Sequence, residues 1–507
     1  MNDREPIIGA DAPDRAERNR WLWNAFARSV RDNMVAEFVV QALRVGGMVI
    51  LARALSPNDF GLFKILVVVS TFAMLVNEAG VPDALIQRRD LTTEHHSTAW
   101  WMSIALALLT GSLLYGGAPA LAHLMKMPEL RQGMRLLCIP FLLEGAAVTA
   151  NARLRRDLRF TALAAADVLA EFAFLAIALV LLWYRLPAWS LAGGLAARFA
   201  VHALSVLVAG GRTPLGLPTS SAARDLGQFG FKVLGGRTVD ALSSNVDFLL
   251  IGRLLGSSAL GFYSMAWDLL RFIPDRVFRI AGRVTLPAFC HLQDQKDQLA
   301  RAYLNFCGYL SRIILPIVSC AAIAAPELIK TIYGPKWLPA AVPMQLLACG
   351  LLLVGLRLAI GSVYYAKNHP EFDFYVHATR LVLVVVTIFS LASTGLVGVS
   401  MGRSAVEVVM SIAGQWLACL LLGIGLGDLA VAILPGAGLA LMCALAVTAG
   451  KITASACGTQ GAATLLLIVG PPALVYCWRE SSTAMRMFAD TFGRGEAPQI
   501  AVAQELQ

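Results

Sequence analysis

The sequence predicts an all-α integral membrane protein with about fourteen transmembrane helices. Of its 507 residues, 57% are hydrophobic and only 15% are charged, and the mean hydropathy is +0.65. Soluble domains are about 45–50% apolar and about 25% charged. The apolar residues occur in blocks of about 20, the length of helix that crosses a bilayer core of about 30 Å. A large soluble helical protein is therefore disfavoured.

The apolar blocks follow one another with short polar gaps, so no soluble domain is inserted between them. None alternates with the period of two that a strand of a lipid-exposed barrel requires. The predicted spans are residues 33–53, 60–80, 98–118, 132–151, 161–183, 189–209, 229–252, 262–287, 303–325, 341–365, 378–394, 397–422, 429–449 and 461–478.

The first 31 residues are polar, which argues against a cleavable signal peptide. Trp21 and Trp23 stand among arginines there and favour an interfacial helix, with a solvated leader as the alternative. Lys and Arg are concentrated in alternate loops, and this asymmetry predicts that both termini are cytoplasmic.

An internal repeat predicts two lobes. The segment LARALSPNDFGLF at 51–63 aligns without a gap to IGRLLGSSALGFY at 251–263, an offset of 200 residues from Arg53 to Arg253. Each segment closes one span and opens the next, and six spans separate them. Parallel repeats of this kind place a cavity between two lobes in transporters. We therefore expect two six-helix lobes around a central cavity, followed by two additional helices.

This expectation divides the chain into six parts. They are an N-terminal cytoplasmic or interfacial segment (1–32), an N-terminal transmembrane lobe (33–209), a cytoplasmic linker (210–228), a C-terminal transmembrane lobe (229–426), helices 13 and 14 (427–480) and a cytoplasmic tail (481–507).

Several function classes are disfavoured by the sequence. The net charge of +9 follows the pattern of cytoplasmic loops, so nucleic-acid binding is not expected. Nine scattered cysteines form no CxxC pair, and His95-His96 has no third ligand nearby, so neither a disulfide framework nor a metal site is expected. No GxxxxGK[ST] motif is present, so we expect no ATP site and no other cofactor. The short loops carry no catalytic motif, which disfavours a membrane enzyme such as a polymerase or ligase.

Charged residues inside three of the spans fall on single helical faces. An ionisable group in a membrane normally faces a cavity or a partner. The residues concerned are Glu37, Gln41 and Arg44 in the first span, Arg237, Asp240, Ser244 and Asp247 in the seventh, and Asp268, Arg271, Asp275 and Arg279 in the eighth.

Two interpretations of these charges remain open, a hydrated cavity and structural ion pairs. We expect cavity arginines that bind an anionic substrate group, because guanidinium donates paired hydrogen bonds to phosphate. The candidates are Arg44 and Arg237 first, then Arg271 and Arg357, with Glu37, Asp240, Asp247 and Asp268 as carboxylates for ion coupling or ion pairing. Arg283 and Arg380 are expected to be structural, whereas both interpretations stay open for the pairs Asp167/Glu171 and Arg403/Glu407.

Six segments, in order, resemble motifs of Wzx-type polysaccharide exporters, in particular the colanic-acid branch of the multidrug/oligosaccharidyl-lipid/polysaccharide superfamily. They are ALIQRRDLT at 84–92, RDLRF at 156–160, NVDFLLIGR at 245–253, LGFYS at 260–264, LPAF at 286–289 and YGPKW at 333–337. The resemblance covers roughly residues 30–425 and is poor beyond about 427. The chain also departs from the family where Asn368-His369-Pro370 stands in place of Gly-Arg-Pro.

The resemblance implies a flippase for polyprenyl-diphosphate-linked oligosaccharide in the inner membrane of a bacterium. It would work by alternating access and ion antiport, with a cationic cavity. The product would enter exopolysaccharide, capsule or lipopolysaccharide synthesis. Implied partners are the lipid-linked substrate, membrane lipids, and the polymerase and export machinery of the polysaccharide. The alternatives are a multidrug antiporter of the same superfamily, whose cavity would need fewer arginines, and a peptidoglycan-precursor flippase.

Overall fold

The computed structural model describes residues 15–87, 91–211, 216–369 and 371–456, and these ranges are helical with no strand. Within them, ten regions are long and apolar enough to cross a membrane. The prediction of an all-α, multi-pass membrane protein is therefore confirmed, although the number fourteen is not. The predicted fourteenth span at 461–478, the tail at 481–507 and the first fourteen residues lie outside the described ranges.

Seventeen α-helices occur in the described ranges. The first eight are α1 (Arg15–Ala54), α2 (Pro57–Glu78), α3 (Val81–Gln87), α4 (Thr93–Met125), α5 (Leu130–Leu136), α6 (Cys138–Arg156), α7 (Phe160–Trp183) and α8 (Pro187–Gly210). The others are α9 (Ser220–Leu255), α10 (Ser257–Arg271), α11 (Pro274–His291), α12 (Lys296–Ile323), α13 (Ala325–Ile332), α14 (Ala341–Ala366), α15 (Glu371–Leu391), α16 (Gly395–Leu422) and α17 (Leu426–Ala456). Short 3-10 turns at Pro335–Ala340 and Ala392–Thr394 precede α14 and α16.

The predicted span 262–287 is two helices in the structure, α10 and α11. The break follows from Pro274, which begins α11 and has no amide N–H to continue the hydrogen bonds of α10. Neither α9 nor α11 is among the ten apolar regions, because both carry charged residues at short intervals. The difference between ten and fourteen thus arises partly from the helices that are richest in charge.

The chain forms two compact units. The first contains the described residues up to Leu51 together with Ser70–Ala120 and Arg131–Gly235. Small residues allow its helices to approach closely, as is common inside membranes. A Cβ added to Gly194 of α8 would lie 2.8 Å from the carbonyl oxygen of Phe174 in α7. The α7–α8 hairpin is consequently held with its two backbones near contact.

The second unit contains Ala52–Val69, Leu121–Leu130 and the described residues from Gly236 onward. Its core lies among α11, α12, α14 and α16, where Phe289, Tyr303 and Tyr364 are almost fully buried. The ring of Phe289 packs against Tyr303 with centroids 6.4 Å apart. Aromatic side chains therefore fill much of this core.

The two repeat segments meet within the second unit. The α1–α2 break and the α9–α10 break lie at corresponding positions, and Gly256 provides a positive φ of 89° at the second. A Cβ on Gly61 would lie 1.8 Å from the carbonyl oxygen of Ser257, and a Cβ on Gly261 would lie 1.9 Å from that of Pro57. The contact is reciprocal, since each glycine faces the first residue of the other repeat's helix. We call it the repeat junction.

Trp337 supports the repeat junction from the 3-10 turn after α13. Its indole N–H donates to the carbonyl oxygen of Ala52 at 2.8 Å. Its ring lies edge-on to Phe60 and Phe262, with centroids 5.1 and 5.9 Å away. The YGPKW motif thus has a structural role here, because its tryptophan contacts one aromatic residue from each repeat.

Candidate functional site

The α7–α8 hairpin of the first unit presents two charged pairs, one turn apart. Asp167 and Glu171 are four residues apart on α7, as are Arg198 and His202 on α8, so each pair shares a helical face. Arg198 Nε lies 3.6 Å from Glu171 Oε2, and His202 Nε2 lies 3.8 Å from Asp167 Oδ1. Because the two helices run in opposite directions, the turn with Arg198 faces the turn with Glu171, and the next turn, with His202, faces the turn with Asp167.

A buried carboxylate holds two half-exposed arginines in this unit. Arg44 of α1 donates from Nη2 to Glu171 Oε2 at 2.9 Å and from Nε to Oε1 at 3.4 Å. The Glu171 side chain is 5% exposed, whereas those of Arg44 and Arg198 are 45% and 40% exposed. Two guanidinium groups therefore share one carboxylate and keep donors available. Free guanidinium donors of this kind suit a phosphate group.

His202 lies beside the arginine pair, between two further carboxylates. Its Nδ1 is 2.8 Å from Glu144 Oε1, and Glu144 of α6 is buried. The neutral ring can donate through one nitrogen only, whereas the protonated ring donates through both. We use the name first-unit charged cluster for Arg44, Glu144, Asp167, Glu171, Arg198 and His202.

The second unit contains a more deeply buried ion network. Glu407 of α16 accepts hydrogen bonds from Arg380 Nε at 2.8 Å and Arg357 Nη1 at 3.2 Å, and also from Arg403 of its own helix. Arg403 Nε reaches Asp247 Oδ2 of α9 at 3.4 Å. We call this set, with Ser243 and Tyr263, the second-unit ion network.

The second-unit ion network joins five helices. Tyr263 of α10 donates to Asp247 at 2.9 Å, and Arg380 Nη1 donates to Ser243 at 3.2 Å. The side chain of Arg403 is only 1% exposed, so it cannot reach a ligand in this arrangement. Arg357 is the more accessible arginine, at 18% exposure. Multiple pairing of this kind is what buried charges need in order to be tolerated.

The other sequence-predicted residues lie on α1, α9 and α10. Arg271, the last residue of α10, pairs with Asp275 at the start of α11, with Nη2 2.8 Å from Oδ1. Its guanidinium carbon also lies 5.1 Å from the centroid of the Trp267 ring. Asp268 accepts from Lys64 of α2 at 2.9 Å. Arg237 and Asp240 are exposed on α9, and Glu37 is exposed on α1, two turns before Arg44.

Two contributions were not assigned from the sequence. Arg198 is not among the candidate arginines of the sequence analysis, and it shares Glu171 with Arg44, a residue far away in the chain. Lys64 was missed altogether, although a lone lysine in the apolar run GLFKILVVV is a usable signal for a membrane-embedded partner. Its ammonium group also lies over the Phe248 ring at 4.2 Å.

Comparison with known proteins gives consistent results. Residues 50–342 match the protein family described as "Polysaccharide biosynthesis protein". The chain is 28% identical over 352 residues to the teichuronic acid biosynthesis protein TuaB of Bacillus subtilis (strain 168), which covers 69% of this chain and 73% of TuaB. It is 23% identical over 383 residues to the lipopolysaccharide biosynthesis protein WzxC of Escherichia coli (strain K12), covering 75% of this chain and 77% of WzxC.

Two solved structures have the same fold. The lipid II flippase MurJ in an inward closed conformation superposes with a TM-score of 0.71 at 12% identity, covering 90% of this chain and 99% of MurJ. An inward-facing MATE family multidrug transporter of the MOP superfamily gives a TM-score of 0.64 at 15% identity, covering 77% of this chain and 98% of that transporter. At these identities the likeness concerns the fold alone.

Proposed function

Because the chain belongs to the polysaccharide biosynthesis protein family, we propose that it flips a polyprenyl-diphosphate-linked oligosaccharide across a bacterial inner membrane. The names of the relatives from teichuronic acid and lipopolysaccharide biosynthesis support this substrate class. The oligosaccharide is used for an exopolysaccharide, a capsule or lipopolysaccharide. The chain acts as a transporter by alternating access and not as an enzyme, and the polymerase and export machinery of that polymer are its functional partners.

The observation that carries the proposal is the arginine pair on Glu171. The diphosphate is the fixed charge of such a substrate, and it needs cationic donors inside the membrane. Arg44 and Arg198 meet this need, because Glu171 holds them in place while both side chains stay partly exposed with donors left over. Burial of Glu171 also fixes the direction of both guanidinium groups. Arg44 and Arg198 are therefore the proposed diphosphate-binding residues of the first unit.

Reconstituted protein tests this assignment. Purified full-length chain in liposomes should flip a synthetic polyprenyl-diphosphate-linked disaccharide. Arg44→Ala and Arg198→Ala should each reduce flipping about tenfold or more, because a hydrogen bond to a charged group contributes about 1.5–3 kcal/mol. Arg44→Lys should retain part of the activity, since lysine keeps the positive charge but loses the paired N–H donors of the planar guanidinium group. Arg131→Ala on α5, where Arg131 is exposed, is the matched control and should flip as the parent does.

The competing substrates are separated by the same vesicles. A multidrug antiporter would move a lipophilic organic cation and ignore the diphosphate-linked disaccharide. A peptidoglycan-precursor flippase would move lipid II, which carries a peptide, faster than the peptide-free probe. Flipping of the peptide-free probe, with no transport of the cation, supports the proposed function, and either opposite preference contradicts it.

The other sequence-predicted residues enter as secondary proposals. Arg237, Arg271 and Arg357 are further cavity arginines to be tested by alanine substitution. Glu37, Asp240, Asp247 and Asp268 are candidate coupling or ion-pair carboxylates. For Arg357 and Asp247, reduced stability of the variant would favour a structural role, because both belong to the second-unit ion network.

Transport is proposed to be coupled to an ion gradient, since the sequence has no nucleotide-binding motif. Vesicles with an imposed gradient and no ATP should therefore flip the probe faster than vesicles without a gradient. Flipping that needs ATP and resists an uncoupler would contradict this proposal.

Both termini are proposed to be cytoplasmic, because arginine is concentrated in the loops of that side. Alkaline phosphatase fused at Gly256 or Ala340 should be active, and the same enzyme fused at Arg156 or Gly493 should be inactive. The reverse pattern would overturn the orientation.

A further inference from the structure

We propose that Cys320 and Cys443 form a disulfide bond that joins α12 to α17 on the extracytoplasmic side of the protein. The two thiols lie on neighbouring helices of the second unit and hydrogen-bond to each other. Both are free thiols in the structure, and both are half-buried. The proposal goes beyond the transport function, and it uses only the proposed orientation of the termini to assign the side of the membrane.

The packing of α12 against α17 brings the two cysteines together. Ser311 of α12 donates to the carbonyl oxygen of Ile433 at 3.5 Å, and these residues are 122 positions apart. Further along both helices, Lys451 Nζ donates to the carbonyl oxygen of Ile323 at 2.9 Å, across 128 positions. The two helices are therefore parallel and keep a similar register between these contacts. The cysteines lie between the contacts and are 443 − 320 = 123 positions apart, so they share that register.

Small residues bring the backbones of these two helices close to each other. A Cβ added to Gly436 would lie 2.5 Å from the carbonyl carbon of Ser311, and one added to Gly308 would lie 2.9 Å from the carbonyl oxygen of Ala432. A disulfide joins Cα atoms about 4.4–6.8 Å apart, which closely packed helices provide. Because the thiols already share a hydrogen bond, side-chain rotation can bring the sulfur atoms to the bonding distance of about 2.05 Å.

The thiol pair lies near the extracytoplasmic end of α12. In the proposed orientation α12 runs outward from the cytoplasm, because Ala340, in the loop that follows, is on the outer side. Cys320 is one turn before Ile323, the last residue of the helix, which corresponds to a rise of about 4.5 Å. Thiols on the cytoplasmic side are kept reduced, whereas the bacterial periplasm is oxidising. The pair is therefore on the side where a disulfide persists.

The bond forms by exchange with an extracytoplasmic oxidant that carries a disulfide of its own. The Cys320 thiolate attacks one sulfur of the oxidant, which forms a mixed disulfide and releases the other sulfur as a thiolate. The Cys443 thiolate then attacks the Cys320 sulfur and displaces the oxidant. Two electrons pass to the oxidant, and the two protons of the cysteine thiols end on its two sulfur atoms.

A second pair of neighbouring thiols in the same unit provides the control. Cys307 of α12 and Cys419 of α16 are buried in the same core cluster and are near enough to interact electrostatically. Cys307 hydrogen-bonds to Tyr303. Cys419 is close to Leu422, the last residue of α16, and this end of the helix faces the cytoplasm in the proposed orientation. The control pair should therefore remain reduced.

The test counts the free thiols of the full-length chain. Membranes prepared without reductant are denatured in an excess of a maleimide whose mass resolves each added label on a gel. The parent should gain two labels when it is reduced first. Cys320→Ser and Cys443→Ser should label equally with and without reduction, whereas Cys307→Ser should keep the parental difference of two. Equal labelling of the parent under both conditions, or a difference that persists in Cys320→Ser, would overturn the proposal.

The stability of the purified protein gives a second readout. A disulfide stabilises a protein mainly by restricting its unfolded chain, and the effect grows with the length of the loop that it closes. Reduction should therefore lower the unfolding temperature of the parent and of Cys307→Ser. It should leave that of Cys320→Ser unchanged. An equal fall in Cys320→Ser would contradict the assignment.

A third measurement separates the geometry of the pair from the orientation of the chain. Purified protein is reduced, freed of reductant and treated with oxidised glutathione, a small disulfide, in place of the extracytoplasmic oxidant. The bond between Cys320 and Cys443 should form again, and Cys307 and Cys419 should stay reduced. Failure to form it would refute the geometry. A bond that forms in purified protein but is absent from membranes would place the pair on the reducing side and overturn the proposal together with the orientation, whatever a transport assay gives.

Discussion

Alanine at the repeat junction should destabilise the protein strongly. The Cβ of Gly61→Ala would lie 1.8 Å from the carbonyl oxygen of Ser257, and real Cβ contacts are essentially never under 3.0 Å. The two helix starts must separate by at least 3.0 − 1.8 = 1.2 Å. The obstacle is backbone, so no side-chain rotation can relieve it. We expect a loss at the upper end of the usual overpacking range, about 3 kcal/mol.

Thermal unfolding of purified protein at a fixed scan rate measures this effect. Gly261→Ala should cost as much as Gly61→Ala, because its Cβ would lie 1.9 Å from the carbonyl oxygen of Pro57. The double variant should cost less than the sum, since one separation of the helices relieves both clashes. Gly116→Ala is the control with open space around it. If Gly61→Ala unfolds within about 0.5 kcal/mol of the parent, the value of an ordinary surface substitution, the reciprocal contact is refuted.

Three further predictions concern stability. Glu407→Gln should cost about 3–5 kcal/mol, because it removes the carboxylate that three arginines share in the second-unit ion network; unfolding within about 1 kcal/mol of the parent would contradict this. Asp268→Asn should cost less than about 1 kcal/mol, since its pair with Lys64 is partly exposed, and a larger loss in the same assay would show a deeper role. Trp337→Phe should cost about 1 kcal/mol or more through the lost hydrogen bond to Ala52, whereas Trp183→Phe, at an exposed position, should be neutral.

The fold was predictable because a membrane restricts the choices. A lipid-exposed backbone must satisfy its own hydrogen bonds, so apolar blocks of sufficient length are helices. The first thirteen predicted spans accordingly coincide with helices, although 132–151 is divided between α5 and α6, and 262–287 between α10 and α11. The repeat was also visible, because Gly61 and Gly261 are needed at the same place in both halves. Both features of the fold were predicted from spacing along the chain, namely the length of the apolar blocks and the 200-residue offset of the repeat.

The partners of the charged residues were less predictable. Pairs within one turn could be recognised, and Arg271–Asp275 and Arg403–Glu407 are such pairs. Arg44 and Glu171 are 127 residues apart, and no spacing rule links them. Their contact depends on how α1 packs against the α7–α8 hairpin, which is a tertiary property. Charged residues inside the membrane could therefore be identified from the sequence, whereas their partners in ion pairs could not.

The two interpretations of the membrane arginines, cavity and ion pair, are not exclusive. A guanidinium group has five N–H donors, and Arg44 uses two of them on Glu171 while its side chain stays 45% exposed. An ion pair here holds the arginine in place and leaves donors for an anion. Arg403 is paired as well, but at 1% exposure it has no access to a ligand.

The ion-pair partners and the exposure of each arginine together predict whether its substitution reduces flipping or stability. Arg44→Ala should reduce flipping more than stability, because its exposed donors are the ones lost to the substrate. Arg403→Ala should do the reverse, since it leaves Asp247 and Glu407 buried with fewer partners. Arg357, at 18% exposure with one hydrogen bond to Glu407, should show both effects. Flipping measured at matched amounts of folded protein separates the two, and an Arg403→Ala protein with parental stability and no transport would refute this division.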